Sequence, residues 1–277
     1  MMNRMRREAQ AQETIEIVER GFYNAPSGKH IDVAQDIQNA MANTRLFHPY
    51  DFETLMFSNI EYSMSVEVTG ETTLEAALRL SNQKTLCLNF ASAKNPGGGF
   101  LSGSQAQEES LARSSALYAT QISQPAMYEH NRKLSTCLYS DFMILSPFVP
   151  VFRDDKGDLL ETPFMTSFLT SPAVNAGAVR RNEPQNVAQI EPVMRERLRK
   201  ILLLASHFEY STLVLGAWGC GVFMNEPQFV ARLFREMLGV GGAFENSFAH
   251  VVYAIYDSTP EQKVLETFFQ ELLIGRL

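Results

Sequence analysis

The chain has 277 residues, 24 Lys+Arg against 31 Asp+Glu, a formal charge of −7, 45% hydrophobic residues and 20% charged residues. Those values fit one large core-forming domain, alone or with a small appendage, and exclude a largely disordered chain. The acidic balance argues against a protein that coats duplex nucleic acid through counterion release, and no apolar run approaches the roughly 20 residues of a membrane helix.

Three cysteines, Cys87, Cys137 and Cys220, form no C-x-x-C pair, and no histidine stands at metal-ligand spacing. An odd and sparse set fits neither a disulfide framework nor structural zinc. Arg4, Arg6 and Arg7 are followed by the polar Ala9-Gln-Ala-Gln-Glu13 rather than an apolar stretch, so a cytoplasmic location is expected.

In chain order, a modest apolar stripe of Ile15, Ile17 and Val18 predicts a helix from about Arg6 to Arg20. A second is expected over Ile31–Ala42, after the turn at Pro26-Ser-Gly28. Residues 1–45 are therefore expected to form an N-terminal helical extension, and 46–277 the main domain. From about residue 60 strands alternate with helices. Met64, Val66 and Val68 alternate with polar neighbours, the period-2 signature of a strand. Thr72 and Glu75 are spaced as a capping box for a helix Thr73–Leu80. The run Thr85–Phe90 reads as a buried strand, and a helix is expected near Glu108–Gln121. Leu138–Leu145 and Phe164–Thr170 read as strands joined by a polar loop around Asp154-Asp-Lys-Gly157. Pro192 is expected to open a long helix to about Phe208, before a strand Ser211–Gly216. Asn225 and Pro227 should open the next helix, and Phe248–Tyr256 is the last expected strand. Thr259 as N-cap, Pro260 at the first helical position and Gln262 closing a capping box predict a final helix Pro260–Leu273. Such alternation means a layered α/β domain whose ligands bind in loops at the carboxyl ends of strands.

Two loops qualify. After Phe90 the chain reads Ala91-Ser-Ala-Lys-Asn-Pro-Gly-Gly-Gly99, then Phe100-Leu-Ser-Gly-Ser-Gln-Ala-Gln-Glu-Glu-Ser110. Three consecutive glycines let a ligand approach the backbone and use its N–H groups, although a lone glycine run also serves as a plain surface loop. No Gly-Lys-Ser/Thr follows, so this is not a P-loop. Glu108 and Glu109 stand at the start of the next helix, where the macrodipole favours acidic residues on its own. As helix neighbours they point roughly 100° apart, so one carboxylate can reach a reacting bond while the other holds a hydroxyl. The second loop, Gly216-Ala-Trp-Gly-Cys-Gly-Val-Phe-Met-Asn225, is again strand, glycine turn and helix, with a helix N-terminus ready for an anion. Phe223 fits a core position as well as a ligand contact. Cys220 has no histidine near in sequence to activate it as a nucleophile.

Gly-Gly-Gly followed within eight residues by Gln107-Glu108-Glu109 resembles the signature of poly(ADP-ribose) glycohydrolases. The longer string from Asn89 to Ser115 resembles their bacterial, microbial-type branch. The resemblance runs from about residue 10 to the end. It implies a macrodomain-like three-layer α/β/α fold with a mixed sheet and an N-terminal helical extension. It also implies hydrolysis of ribose–ribose bonds in poly(ADP-ribose), mainly from chain ends, releasing ADP-ribose. By position, Glu109 matches the catalytic glutamate and Glu108 the neighbouring glutamate that binds ribose. Asn95 matches the asparagine that holds the terminal ribose, and Gly97, Gly98 and Gly99 match the loop facing the diphosphate, with Gln107 also on the substrate-binding side. Gly219, Cys220, Gly221 and Val222 match the second diphosphate loop, and Phe223 the aromatic packed on the terminal ribose. Tyr256 stands where macrodomains place a group against adenine, though a core or surface role fits it equally.

No metal and no cofactor is implied, and neither a membrane nor sequence-specific nucleic-acid binding. The expected partners are poly(ADP-ribose) or ADP-ribosylated protein as substrate and ADP-ribose as product, for a monomer. Two alternatives are a non-catalytic ADP-ribose-binding macrodomain, which has no need of Glu109, and a mono-ADP-ribose hydrolase. The implied substrate is itself a polyanion. The charge of −7 then argues only against gripping a long polymer on a broad basic surface, and favours anions held locally by backbone N–H groups and helix N-termini.

Overall fold

The computed structural model describes residues 3–273. Its first elements are helix α1 (Arg4–Arg20), strands β1 (Phe22–Asn24) and β2 (His30–Asp32), helix α2 (Ala34–Asn43) and strand β3 (Arg45–Phe47). Next come β4 (Ser65–Thr69), α3 (Thr73–Arg79) and β5 (Thr85–Phe90), then α4 (Gln107–Ser114), α5 (Leu117–Ile122) and α6 (Ala126–Lys133). The long strands β6 (Met143–Arg153) and β7 (Leu159–Ser171) precede α7 (Ala176–Asn182) and α8 (Ile190–His207). Strand β8 (Thr212–Leu215), α9 (Pro227–Leu238), β9 (His250–Ala254) and α10 (Lys263–Leu272) complete the described chain. Among the described residues, seven strands form a mixed sheet in the order β3-β6-β7-β5-β8-β9-β4, flanked by helices. This is the expected α/β class, with the expected N-terminal helix. Among the described residues no helix is long and apolar enough to cross a membrane.

Two compact units divide the chain. One gathers the chain up to Phe47 with Asn89–Lys133 and Phe142–Ser171; the other gathers His48–Leu88, Leu134–Asp141 and the chain from Pro172. The first contains the antiparallel ribbon β3–β6–β7. Helix α1 is tied to it by side chains: Gln10 Nε2 donates to Gly157 O at 2.8 Å, and Arg153 Nη2 to Glu13 Oε2 at 2.7 Å. Ala11, Phe100 and Ala112 pack as one apolar cluster beneath Ile15 and Tyr118. The second unit contains the parallel strands β4, β9, β8 and the first part of β5. Cys87 is fully buried there, as a small hydrophobe in an apolar strand.

Several boundaries differ from the sequence expectation. Helix α2 begins at Ala34 rather than Ile31. Ile31 instead pairs with Tyr23 in the β1–β2 ribbon, and Asp32 Oδ1 accepts the Ala34 N–H at 2.9 Å to start the helix. The expected helix Glu108–Gln121 breaks at Ser115. The strand expected from Leu138 begins at Met143, because Arg197 takes the carbonyl oxygens of Leu138 and Tyr139 at 3.0 and 3.2 Å and draws that segment out of any ladder. Pro192 is the third residue of α8, still within the first turn, where its missing N–H has no helical partner to lose. The capping box Thr72/Glu75 forms in full.

The last helix starts at Lys263, not Pro260. Asp257 displaces the expected cap: its Oδ1 accepts from the Thr259 N–H at 3.0 Å and the Thr259 hydroxyl at 2.6 Å, while Oδ2 accepts from Val264 N–H at 2.9 Å. Thr259 is thereby used as a donor, and Gln262 turns left-handed at φ 44°.

Arg197 is the most deeply buried charge of the second unit, with a 1% exposed side chain. Its Nε donates to Asp141 Oδ1 at 2.8 Å and its Nη1 to Pro172 O at 3.0 Å; Lys200 Nζ lies 2.6 Å from Asp141 Oδ2. Loss of Arg197 leaves Asp141 paired with Lys200 but the carbonyls of Leu138, Tyr139 and Pro172 without their donor, and a buried acceptor left unsatisfied costs roughly 1–3 kcal/mol. Arg197→Leu is therefore expected to lose about that much stability by urea unfolding; an unchanged midpoint would show that Arg197 contributes nothing.

Candidate active site

The first glycine loop is built on the end of β5. Gly98 N–H donates to Asn95 O and Phe100 N–H to Gly97 O, folding 95–100 into consecutive turns. The reason for glycine at 98 is steric as well as conformational. Its φ is +59°, and a Cβ there would lie 3.0 Å from Glu109 Cδ and 3.2 Å from Glu108 Oε2, and closer still to Glu109 Oε1. The backbone thus runs directly against both carboxylates. Asn95 is exposed at the turn, and Gly97 is buried beside Phe100.

The two carboxylates have different surroundings. Glu108 is 3% exposed and engaged at both oxygens: Ser92 N–H donates to Oε2 at 2.6 Å, and Gln121 Nε2 and Asn89 Nδ2 donate to Oε1 at 2.8 and 3.2 Å. Burial pushes its pKa up to about 8, against three hydrogen bonds that favour the ionised form. Glu109 is held at one oxygen only, where Gly99 N–H donates to Oε1 at 3.0 Å. Its Oε2 is buried and has no hydrogen-bond partner. Of the two neighbouring carboxylates, Glu109 is thus the one with an oxygen left to offer a ligand.

Gln107 locks the start of α4 to the end of β5, its Oε1 accepting the Phe90 N–H at 2.8 Å. The far side of the loop is fixed from α1: Arg4 Nε donates to Ser102 O at 2.9 Å and Arg7 Nε to Gly103 O at 2.7 Å. Arg113 reaches back from α4 to Ser104 O at 2.7 Å, and Thr14 donates to Arg113 O at 2.5 Å. Burial pushes the Arg113 guanidinium down to about 10, opposed by the nearby charge of Glu109.

The second loop, in the other unit, is braced from behind. Gly219 has φ +74°, and a Cβ on it would meet Ala173 Cβ at 2.5 Å and Asn225 Nδ2 at 2.7 Å. Asn225, expected at a helix start, is instead buried beneath the loop: its Nδ2 donates to Val174 O at 2.8 Å and Gly219 O at 3.1 Å. Pro227 takes the first helical position of α9. Gly177 N–H donates to Phe223 O at 3.0 Å, so the segment Ser171–Gly177 is the cradle of this loop. Cys220 belongs to the turn, and burial pushes its thiol up to about 12, which leaves no thiolate to act as a nucleophile. Gly221 and Val222 are exposed, Val222 at 82%. Phe223 is half-buried rather than core, with its ring 5.9 Å from that of Tyr139, which is itself left-handed at φ 59°. Tyr256, 67% exposed, follows the end of β9.

Sequence reasoning missed Gln121, Thr170 and Ser92 around Glu108, and Tyr139 beside Phe223. Only Asn89 and Ser92 fall in the quoted string; the others are single polar residues within expected helices and strands, with no local signal.

A family model described as "Microbial-type PARG, catalytic domain" matches residues 11–154. The chain belongs to the microbial-type poly(ADP-ribose) glycohydrolase family. No curated protein matches it. Its fold is similar to that of poly(ADP-ribose) glycohydrolase from Thermomonospora curvata bound to the inhibitor ADP-HPD, at 47% identity and TM-score 0.91, covering 96% of this chain and 99% of that one. It is also similar to the poly(ADP-ribose) glycohydrolase from Deinococcus radiodurans in complex with ADP-ribose, at 44% identity and TM-score 0.81, covering 86% and 97%. For a glycohydrolase of this family the unequal engagement of Glu108 and Glu109 is the informative feature of the first loop.

Proposed function

We propose that this chain hydrolyses the ribose–ribose O-glycosidic bonds of poly(ADP-ribose), mainly from chain ends, releasing ADP-ribose, with Glu109 as general acid and then general base. The observation that carries the assignment is the buried, unpartnered Oε2 of Glu109, held in place through its other oxygen by Gly99. Breaking a glycosidic bond through an oxocarbenium-like state requires a proton on the leaving oxygen and then a base for water. Three donors already occupy Glu108, so it does not serve as the second member of an acid/base pair. Glu109 therefore does both jobs in turn: its Oε2 gives a proton to the departing ribose hydroxyl oxygen and takes one back from the attacking water.

Glu108 holds the terminal ribose by accepting its hydroxyls, beside Asn95. By their match to the family, Gly97–Gly99 and Gly219–Val222 are each diphosphate-binding segments, and the substrate's diphosphate stabilises the developing cation and helps seat the water. Phe223 packs on the terminal ribose and Tyr256 on adenine. The enzyme acts in the cytoplasm, a reading supported by its odd, sparse cysteine set.

A hydroxyl donates more strongly to an ionised Glu108 than to a protonated one, and burial pushes that group up to about 8. ADP-ribose affinity is therefore expected to strengthen as pH rises from below to above that value, by calorimetric titration. Affinity that weakens over the same interval would contradict the role of Glu108. For the activity itself, long poly(ADP-ribose) should yield free ADP-ribose as the main early product on a length-resolving gel with chromatography. Mid-length fragments in comparable amount would overturn chain-end action, and no free ADP-ribose would overturn the assignment.

A further inference from the structure

We propose that Gln121 is a positioning residue for Glu108, delivered to it by the break between α4 and α5. Thirteen residues separate the two. In one continuous helix, at a rise of 1.5 Å per residue, they would stand about 20 Å apart along the axis. The break closes that distance. Ser115 leaves the helix to bridge Val151, and Ala116 N–H donates to Pro150 O at 3.1 Å. The Ser115 hydroxyl donates to Leu111 O at 2.7 Å and accepts the Leu117 N–H at 3.2 Å, ending one helix and starting the next. Helix α5 then brings Gln121 Nε2 to 2.8 Å from Glu108 Oε1.

Gln121 is fully buried, where an apolar side chain of equal length would pack without desolvating an amide. Its amide is oriented for its donors: Nε2 serves Glu108 and lies 3.4 Å from Thr170 Oγ1, as Asn89 Nδ2 does at 3.1 Å. The carbonyl oxygens of both amides, Gln121 Oε1 and Asn89 Oδ1, are buried without partners. Turning either amide round would set its oxygen against the Glu108 carboxylate. An arrangement that leaves two acceptors unsatisfied to aim two donors at one carboxylate oxygen serves that carboxylate rather than stability. The other ionisable groups bearing on Glu108 are its neighbour Glu109 and the buried Tyr128 of α6, whose hydroxyl it pushes up further after burial. The charge of Glu109 opposes ionisation of Glu108, so its donors are what favour the ionised form and fix its direction.

This inference rests on Glu108 as the ribose-holding group, and the test separates the two. Gln121→Met keeps length and removes the donor; ADP-ribose affinity near pH 7.5 should fall about tenfold or more, the charge-assisted bond being the stronger class. The midpoint of its pH dependence should move upward, and KM on polymer should rise more than kcat falls. Gln121→Glu donates only while protonated, so its affinity should fall at high pH, opposite in sense to the wild type. Infrared titration of the Glu108 carboxyl, assigned by its loss in Glu108→Gln, needs no ligand and should show a raised midpoint in Gln121→Met. An unchanged carboxyl midpoint in Gln121→Met, or a Gln121→Glu variant following the wild-type pH curve, would overturn the proposal. If wild-type protein fails to bind ADP-ribose, the ribose-holding reading falls, while the infrared midpoint still decides the role of Gln121.

Discussion

Glu109→Gln is expected to lower kcat on poly(ADP-ribose) by about 10²–10⁴-fold, the contribution of general acid–base catalysis, while ADP-ribose affinity stays at the wild-type level. The amide keeps an oxygen for the Gly99 N–H that anchors Oε1. What it lacks is an Oε2 that can carry a proton to the leaving oxygen and collect one from water. Binding groups are untouched: Glu108 keeps its three donors, and the glycine loop keeps its turns. Release of ADP-ribose at the wild-type rate by this variant would remove Glu109 from the mechanism. The informative comparison is Kd by calorimetry against single-turnover release, since a loss of both would indicate a collapsed loop instead.

Gly98→Ala should be nearly as damaging for a different reason. The left-handed backbone at φ +59° costs an alanine roughly 1–2 kcal/mol, and the added Cβ has nowhere to go. It would collide with the Glu109 carboxylate and crowd Glu108 Oε2, so the carboxylate must move. Displacement of a reacting group by about 1 Å is worth on the order of 10²-fold in rate, and a loss of that size in kcat is expected. Gly28→Ala is the matched control. Gly28 is also left-handed, at φ +84°, but a Cβ there meets nothing within 4 Å. It should therefore cost some stability and leave kcat unchanged. Equal activity losses at positions 28 and 98 would mean that backbone strain, not the collision with Glu109, explains the effect.

The parts of the fold that could be read from sequence are those decided locally. The strand Thr85–Phe90 has the expected bounds because a continuous apolar run has only one place to go. The helix Thr73–Arg79 starts where Thr72 and Glu75 cap it. What escaped was decided by distant partners. Nothing near Ser115 announces that it will pair with Val151 and end a helix. Nothing near Leu138 shows that Arg197, 59 residues away, will take its carbonyl. At the last helix, Thr259-Pro260 is a good local signal overridden by Asp257, which reaches Val264 from outside the helix.

The site divides the same way. Glycines whose Cβ positions are occupied, and two adjacent glutamates at a helix start, are dense and chemically unusual in sequence. Their inequality was not legible. It depends on Gln121 and Thr170, which read as an ordinary helix residue and an ordinary strand residue until the fold sets Gln121 against Glu108 and Thr170 beside the amides of Gln121 and Asn89. Asn225 likewise looks like a helix cap in sequence, and its work beneath Gly219 appears only once Val174 is folded against it.

The proposed function turns on whether the glutamates of the first loop cleave the ribose–ribose bond of the polymer. Parallel incubation of the protein with poly(ADP-ribose) and with mono-ADP-ribosylated protein, followed by quantitation of free ADP-ribose, tests it most directly. Release from the polymer should be rapid, with the protein-linked unit released far more slowly. Release from the mono-modified protein alone, or from neither substrate, would contradict it.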